Sequence, residues 1–349
     1  MKNLTTFAVA LIVRVAIPLI LVSVVLPIGI CSAQADKTIV TAENFPRVES
    51  DLAIKKVFDK VGLSKFDHNR LPTPVDNQPI IRMNRDTLYS RAVLDLSKPA
   101  KITMPDSGDR YMGLQIISQD HYTRVFMKPG TYEVTQKDVG TRYAYAFVRT
   151  FMDASSDKDI KVANALQDKI VIEGGGKGPL EVPDWDLDTA AKFRSALLVL
   201  ASTTADTSRF FGTPDQTTPI RHLLGSAMGW AGLPRANAAY DNVTPPNNDG
   251  KTAYKVTVKD VPVDAFWSIT VYGGDGFMPK NALGVYAFND KTAKPNADGS
   301  ITIHFGACDD GRVNCIPISE GWNYIIRMYE PRQEILDGKW KFPAPTPVK

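Results

Sequence analysis

The stretch Leu88-Tyr89-Ser90-Arg91-Ala92-Val93-Leu94-Asp95-Leu96 decides the fold class. Tyr89, Arg91, Val93 and Asp95 fall on one side of a period-two repeat, with Leu88, Ala92, Leu94 and Leu96 on the other. Such alternation marks a β-strand, because successive side chains of an extended chain point to opposite faces. Outward from it, residues 102–105 read as a short strand and Asp106-Ser107-Gly108-Asp109 as a turn. Residues 110–118 resume the alternation, with Tyr111, Gly113, Gln115 and Ile117 opposite Met112, Leu114 and Ile116. Pro129-Gly130 is a second turn, and residues 131–135 and 142–151 are two more strands. Short strands broken by turns about every ten residues predict a sandwich or jelly roll rather than an α/β layout.

Upstream, Leu52, Ile54, Val57, Phe58 and Val61 recur at helical spacing between Ser50 and Gly62. Three prolines within residues 71–79 then impose an extended approach. Composition changes near Asp157, where residues 160–170, 187–205 and 220–228 read as helices and Gly174 to Gly178 as a flexible loop. After Pro245-Pro246-Asn247-Asn248-Asp249-Gly250, strand patterns return at 254–258, 266–272, 284–288, 300–306 and 323–329. The predicted fold is mainly β with a helical connecting layer, built as two β-sandwich or jelly-roll domains. Its boundaries are a leader at 1–35, a helical segment at 36–70, a first β domain at 71–156 and a helical connector at 157–244. A second β domain at 245–342 and an extended tail at 343–349 complete it.

Residues 1–35 have the form of a secretion signal: Lys2, an apolar run from Val15 to Ile30, and Ala33-Gln34-Ala35 as a small-x-small cleavage site. Arg14 interrupts a run otherwise long enough to span a bilayer, so a retained anchor is the alternative. Bulky Ile30 argues against lipid attachment at Cys31. Removing Lys2 and Arg14 with the leader leaves 39 of the 41 basic residues against 38 acidic ones, a net charge of +1. This near-neutral balance gives no electrostatic footprint for nucleic acid. The expected location is periplasmic or secreted, with no membrane association after cleavage and self-association left open. Cys308 and Cys315 then remain as a pair, expected to form a disulfide around an Asp310-Gly311 hairpin turn.

The segment Asn84-Arg85-Asp86-Thr87-Leu88-Tyr89-Ser90, with Leu94-Asp95-Leu96 and Gly108-Asp109-Arg110-Tyr111, resembles the first of a pair of bacterial domains of unknown function, numbered 1254. Pro262-Val263-Asp264-Ala265-Phe266-Trp267-Ser268-Ile269-Thr270-Val271-Tyr272, Asn296-Ala297-Asp298-Gly299-Ser300-Ile301 and Leu336-Asp337-Gly338-Lys339-Trp340 resemble its partner, numbered 1214. The resemblance implies an exported two-domain β-sandwich protein and brings no catalytic residues with it. The approach to the last strand, Asn314 to Trp322, departs from the tryptophan- and proline-rich pattern of that family.

Asn84, Arg85, Asp86 and Thr87 form the most polar cluster within a β-region. Arg85 offers a planar fork for a carboxylate or sugar hydroxyl, and a buried Asp86 offers an acid or base. An internal network holding the strand entry is the alternative. Tyr111, Tyr122 and Trp267 are candidate stacking surfaces for a sugar, although Trp267 also reads as core. No two of the four histidines have metal-ligand spacing, so no metal and no cofactor is expected. Three functions stay open: an exported binder of a sugar or small acidic metabolite at the domain junction, a metal-independent hydrolase or lyase using Asp86 and His121, and a structural or assembly protein.

Overall fold

A computed structural model describes residues 37–78, 81–204 and 206–348; the expected leader lies outside them. The first half contains α1 (Phe45–Val61), β1 (Asp67–His68), β2 (Thr87–Asp95), β3 (Ala100–Met104) and β4 (Met112–Ser118). It continues through β5 (Thr123–Phe126), β6 (Gly130–Val134), α2 (Gln136–Val139) and β7 (Tyr143–Phe151). The middle supplies α3 (Asp157–Gln167), β8 (Val171–Gly174), α4 (Leu187–Ala201) and α5 (Pro219–Met228). The rest comprises β9 (Ala238–Val243), β10 (Tyr254–Val258), β11 (Val263–Tyr272), β12 (Ala287–Asn289) and β13 (Ile301–Phe305). It ends with β14 (Cys315–Ile316), β15 (Asn323–Pro331), α6 (Gln333–Leu336) and β16 (Thr346–Pro347). The described chain is therefore mainly β.

Four sheets result. Their strand orders are β1-β2-β7-β4-β5, β6-β3-β8, β12-β11-β15-β9 and β14-β13-β10-β16. In the first half, Ala92, Leu94, Leu114, Ile116, Ala144, Ala146 and Val148 of the five-stranded sheet share one buried cluster with Ala100, Ile102, Met104 and Val134 of the three-stranded sheet. In the second, Trp267, Ile269, Val271, Ile326 and Met328 share another with Tyr254, Val256, Val258, Ile303 and Phe305. Trp267 is thus core. The alternation at 88–96 is realised as two buried faces, since Val93, Ile117 and Tyr145 pack on the opposite side against Ile54 and Val57 of α1.

The connector is not wholly helical. β8 pairs with β3, and β9 pairs with β15 over six residues. Ala238-Ala239-Tyr240-Asp241-Asn242-Val243 is poor in β-formers, so its strand state is imposed by its partner. The glycine run is packed rather than loose: the Gly176 N–H donates to Asp95 O at 2.7 Å, and a Cβ on Gly175 would meet Ser64 Oγ at 2.9 Å. Cys308 and Cys315 are bonded, with Cα atoms 5.6 Å apart, but Asp310-Gly311 does not close a hairpin. A 3-10 turn at Cys308–Asp310 lies in the loop that carries the chain back to the level of His304, so that β14 runs parallel to β13. The tail is also anchored, with β16 paired to β10.

The helical layer is fastened to the five-stranded sheet through the turn between β4 and β5. His121, at φ 67°, is buried there, and its Nε2 accepts the Ala231 N–H at 3.0 Å. Ala231 also has positive φ, 65°, so two residues in a conformation that L side chains resist hold each other in place. His222 donates Nε2–H to Asp120 O at 2.8 Å and stacks on Tyr122. Burial, and then His222, push the His121 pKa from 6.5 down to about 3.

Two expectations follow. Cys308→Ser/Cys315→Ser should lose about 2 kcal/mol in denaturant unfolding, the chain-entropy value for so short a loop. An unchanged midpoint would mean that the bonds from Asn314 to Lys294 and Thr302 already fix it. The second concerns pH. His121 binds a proton more readily unfolded than folded, so its contribution is intact above pH 6.5 and drains as pH falls toward 3. Measured between pH 7 and 4, wild type should lose on the order of 1 kcal/mol per pH unit more than His121→Gln. Parallel curves would refute this.

Candidate site between the two halves

Strand register sets which side chains face the second half. On the outer face of the five-stranded sheet, Tyr89, Arg149 and Gly113 form one row, and Arg91, Phe147 and Gln115 the next. In the β12-β11-β15-β9 sheet, Phe266, Tyr329 and Ala238 form one row, followed by Asn289, Ser268, Arg327 and Tyr240. The two faces meet through aromatic rings. Phe266 stacks on Tyr329 at 4.3 Å, while Phe151 and Tyr111 meet Phe266 edge-on at 4.8 and 5.4 Å.

Behind this wedge the junction is polar. Arg327 is 4% exposed; it donates to Thr270 Oγ1 at 3.1 Å, and to Tyr272 O–H oxygen and Arg82 O at 2.7 Å each. Asn84 donates Nδ2–H to the Tyr329 hydroxyl at 2.9 Å and accepts from the Thr87 hydroxyl at 3.2 Å. Asp86 accepts from Asn289 Nδ2 at 3.0 Å, and Ser268 lies beside its carboxylate. Burial raises the Asp86 pKa, opposed by Asn289, Ser268 and then Arg327. Burial likewise pushes the Tyr111 and Tyr329 hydroxyls up, so both stay protonated donors.

Arg149 is the second buried cation, 8% exposed. It donates to Gln115 Oε1 and to Ala231 O, each at 2.7 Å, and its Cζ lies 4.4 Å from the Phe147 ring centroid. Neither Arg149 nor Arg327 has a carboxylate within ion-pair distance among the described residues. A guanidinium carries five N–H donors, so both keep donors in reserve. Tyr89, Phe147 and Tyr240, which project from the facing sides of the two sheets, are only half-buried. The arrangement can hydrogen-bond and stack; it offers positive charge without a matching carboxylate.

The structure gathers Asn84, Asp86, Thr87 and Tyr111 at this junction, sets Arg85 at its margin, and places Tyr122 and Trp267 elsewhere. Arg85 donates to Thr73 O and lies over Tyr286. Tyr122 lines a cavity of about 430 Å³ with Arg124 and Lys137. Trp267 borders a separate hollow of about 260 Å³ beside Asp290. Asp86 and His121 do not form an acid–base pair. Asp86 precedes Thr87 at one end of β2; His121 follows Ser118, which aligns through Ala144 with Leu94 at the other end. The span from Thr87 to Leu94 is roughly 23 Å at strand rise.

Sequence reasoning missed Arg149, Arg327 and Tyr240, and used Tyr89 only as a marker of alternation. The signal was present for the arginines: each is a lone charge inside an apolar strand, Ala146-Phe147-Val148-Arg149-Thr150-Phe151 and Ile325-Ile326-Arg327-Met328-Tyr329. Among the described residues, no group of three or more His, Cys, Asp or Glu is placed to hold a metal ion, and no helix is long and apolar enough to cross a membrane.

None of the curated proteins matches this chain. The crystal structure of the VPA0106 protein from Vibrio parahaemolyticus is similar in fold, with a TM-score of 0.66 and 22% identity over 88% of this chain and 99% of that one. An uncharacterised protein from Burkholderia cenocepacia gives a TM-score of 0.49 and 14% identity, covering 88% of each chain. Residues 63–174 match the model described as a protein of unknown function, DUF1254, and residues 236–333 the one described as a protein of unknown function, DUF1214. The chain belongs to the proteins that carry these two domains of unknown function in this order.

Proposed function

We propose that this is an exported binding protein that takes a small polar ligand, a sugar or an acidic metabolite, at the junction of its two halves. On this reading each half is a β-sandwich, supported by the core that each pair of sheets shares, and junctions of this kind are where ligand sites concentrate in multi-part proteins. Export is supported by the leader-like first 35 residues and by the disulfide.

One observation carries the ligand reading. Tyr89 and Tyr240 stay in contact with solvent although they project from the facing sides of two sheets, and the rows they belong to contain Arg149 and Arg327. An interface made only to hold two halves together favours apolar packing, as Phe266 and Tyr329 provide at its end. The hydrolase or lyase reading loses its acid–base pair to the separation of Asp86 from His121.

A thermal-shift screen of the chain from Asp36 against sugars and organic acids tests this. A ligand at one hundred times its dissociation constant adds about 2.7 kcal/mol, which raises Tm by roughly 4 °C at this chain length. Tyr89→Ala and Tyr240→Ala should shrink that shift, whereas Arg85→Ala should leave it intact. Loss of the shift in Arg85→Ala alone would move the site to the Thr73–Tyr286 region.

A further inference from the structure

We infer that the ligand of this junction is a small organic anion whose carboxylate or phosphate group is received by Arg149. This rests on the reading that the junction binds a ligand, and it adds the chemical class. A buried cation without a counter-charge is destabilising, so buried arginines are ordinarily paired. Arg149 is paired only with neutral oxygens, the Gln115 side-chain carbonyl and the Ala231 backbone carbonyl. Those bonds fix the guanidinium plane, and the Phe147 ring supports one of its faces. Two of five donors are used, which leaves three for a ligand. That is the donor fork that recognises a carboxylate or phosphate through two parallel bonds.

The opposite wall strengthens the assignment. Arg327 is clamped by Thr270, Tyr272 and Arg82 O, so it adds a second fixed positive charge, although Asp86 lies near enough to offset part of it. Tyr240, beside Arg327 in its row, lies in the field of both guanidiniums. Arg149 has no comparable carboxylate on its own sheet face: its row holds Tyr89 and Gly113, and the next holds Arg91, whose charge is already met by Asp67.

The test uses matched probes on the chain from Asp36: succinate against succinamide, glucuronate against glucose, and inorganic phosphate, each by thermal shift and calorimetric titration. At least one charged probe should bind while its neutral counterpart does not. Arg149→Met should weaken that binding at least tenfold, with Arg149→Lys between it and wild type. Without ligand, Arg149→Met should melt within about 4 °C of wild type or above it, because it removes an unpaired buried charge. Neutral probes binding as well as charged ones would overturn the anion assignment and leave the reading of a binding junction standing. Silence from every charged probe would overturn it too, and silence from the neutral ones as well would take that reading with it. Undiminished anion binding by Arg149→Met, or a loss of more than 10 °C without ligand that Arg149→Lys restores, would make Arg149 a structural residue.

Discussion

Phe266, stacked on Tyr329 and edged by Phe151 and Tyr111, is the contact on which the arrangement of the molecule depends. It presses the outer face of the five-stranded sheet against a face of the β12-β11-β15-β9 sheet. Aromatic pairs of this kind combine large buried area with a preferred ring geometry, so they set the distance between the sheets as well as holding them together. Everything further along the two faces inherits that distance. Asn84 reaches Tyr329, Arg327 reaches Arg82 O, and Asp86 reaches Asn289 because this wedge has already placed one sheet over the other.

The polar rows behind the wedge are a costly way to build a junction. Two arginines and an aspartate are buried where apolar side chains would pack more stably. The aromatic end shows that this chain has the means to make an apolar contact. On the proposed binding function, charge is retained beside it for recognition, with stability given up for donors held in a fixed direction. By contrast, Tyr122, stacked on His222 at the far side of the five-stranded sheet, and Trp267, buried in the second core, are accounted for by local packing.

Strand positions were legible because period-two alternation is a local property. The patterns at 88–96, 110–118 and 142–151 became β2, β4 and β7 with ends moved by one or two residues. The disulfide was legible from cysteine count, and the polar cluster at Asn84 to Thr87 stood out as charge inside a β-region. The strands β8 and β9 were not legible. Val171 to Gly174 is too short to show a period, and Ala238 to Val243 is poor in β-forming residues; each is extended because a neighbouring strand satisfies its backbone. The parallel return of β14 was hidden in the same way, since Asp310-Gly311 encodes a turn without saying which strand the chain meets after it.

The amino-acid sequence alone determined that this chain forms alternating strands in two blocks around a helical stretch, because side-chain periodicity and turn chemistry act over a few residues. It also marked Cys308 and Cys315 as a pair spaced to close a short loop. Tertiary structure decided which faces meet. Whether Arg149 points at solvent, at a carboxylate or at a row of tyrosines depends on the order β2-β7-β4 and on the sheet laid over it. That order also separates Asp86 from His121, placing them at opposite ends of one sheet. Long-range packing sets such distances, and no spacing along the chain records them.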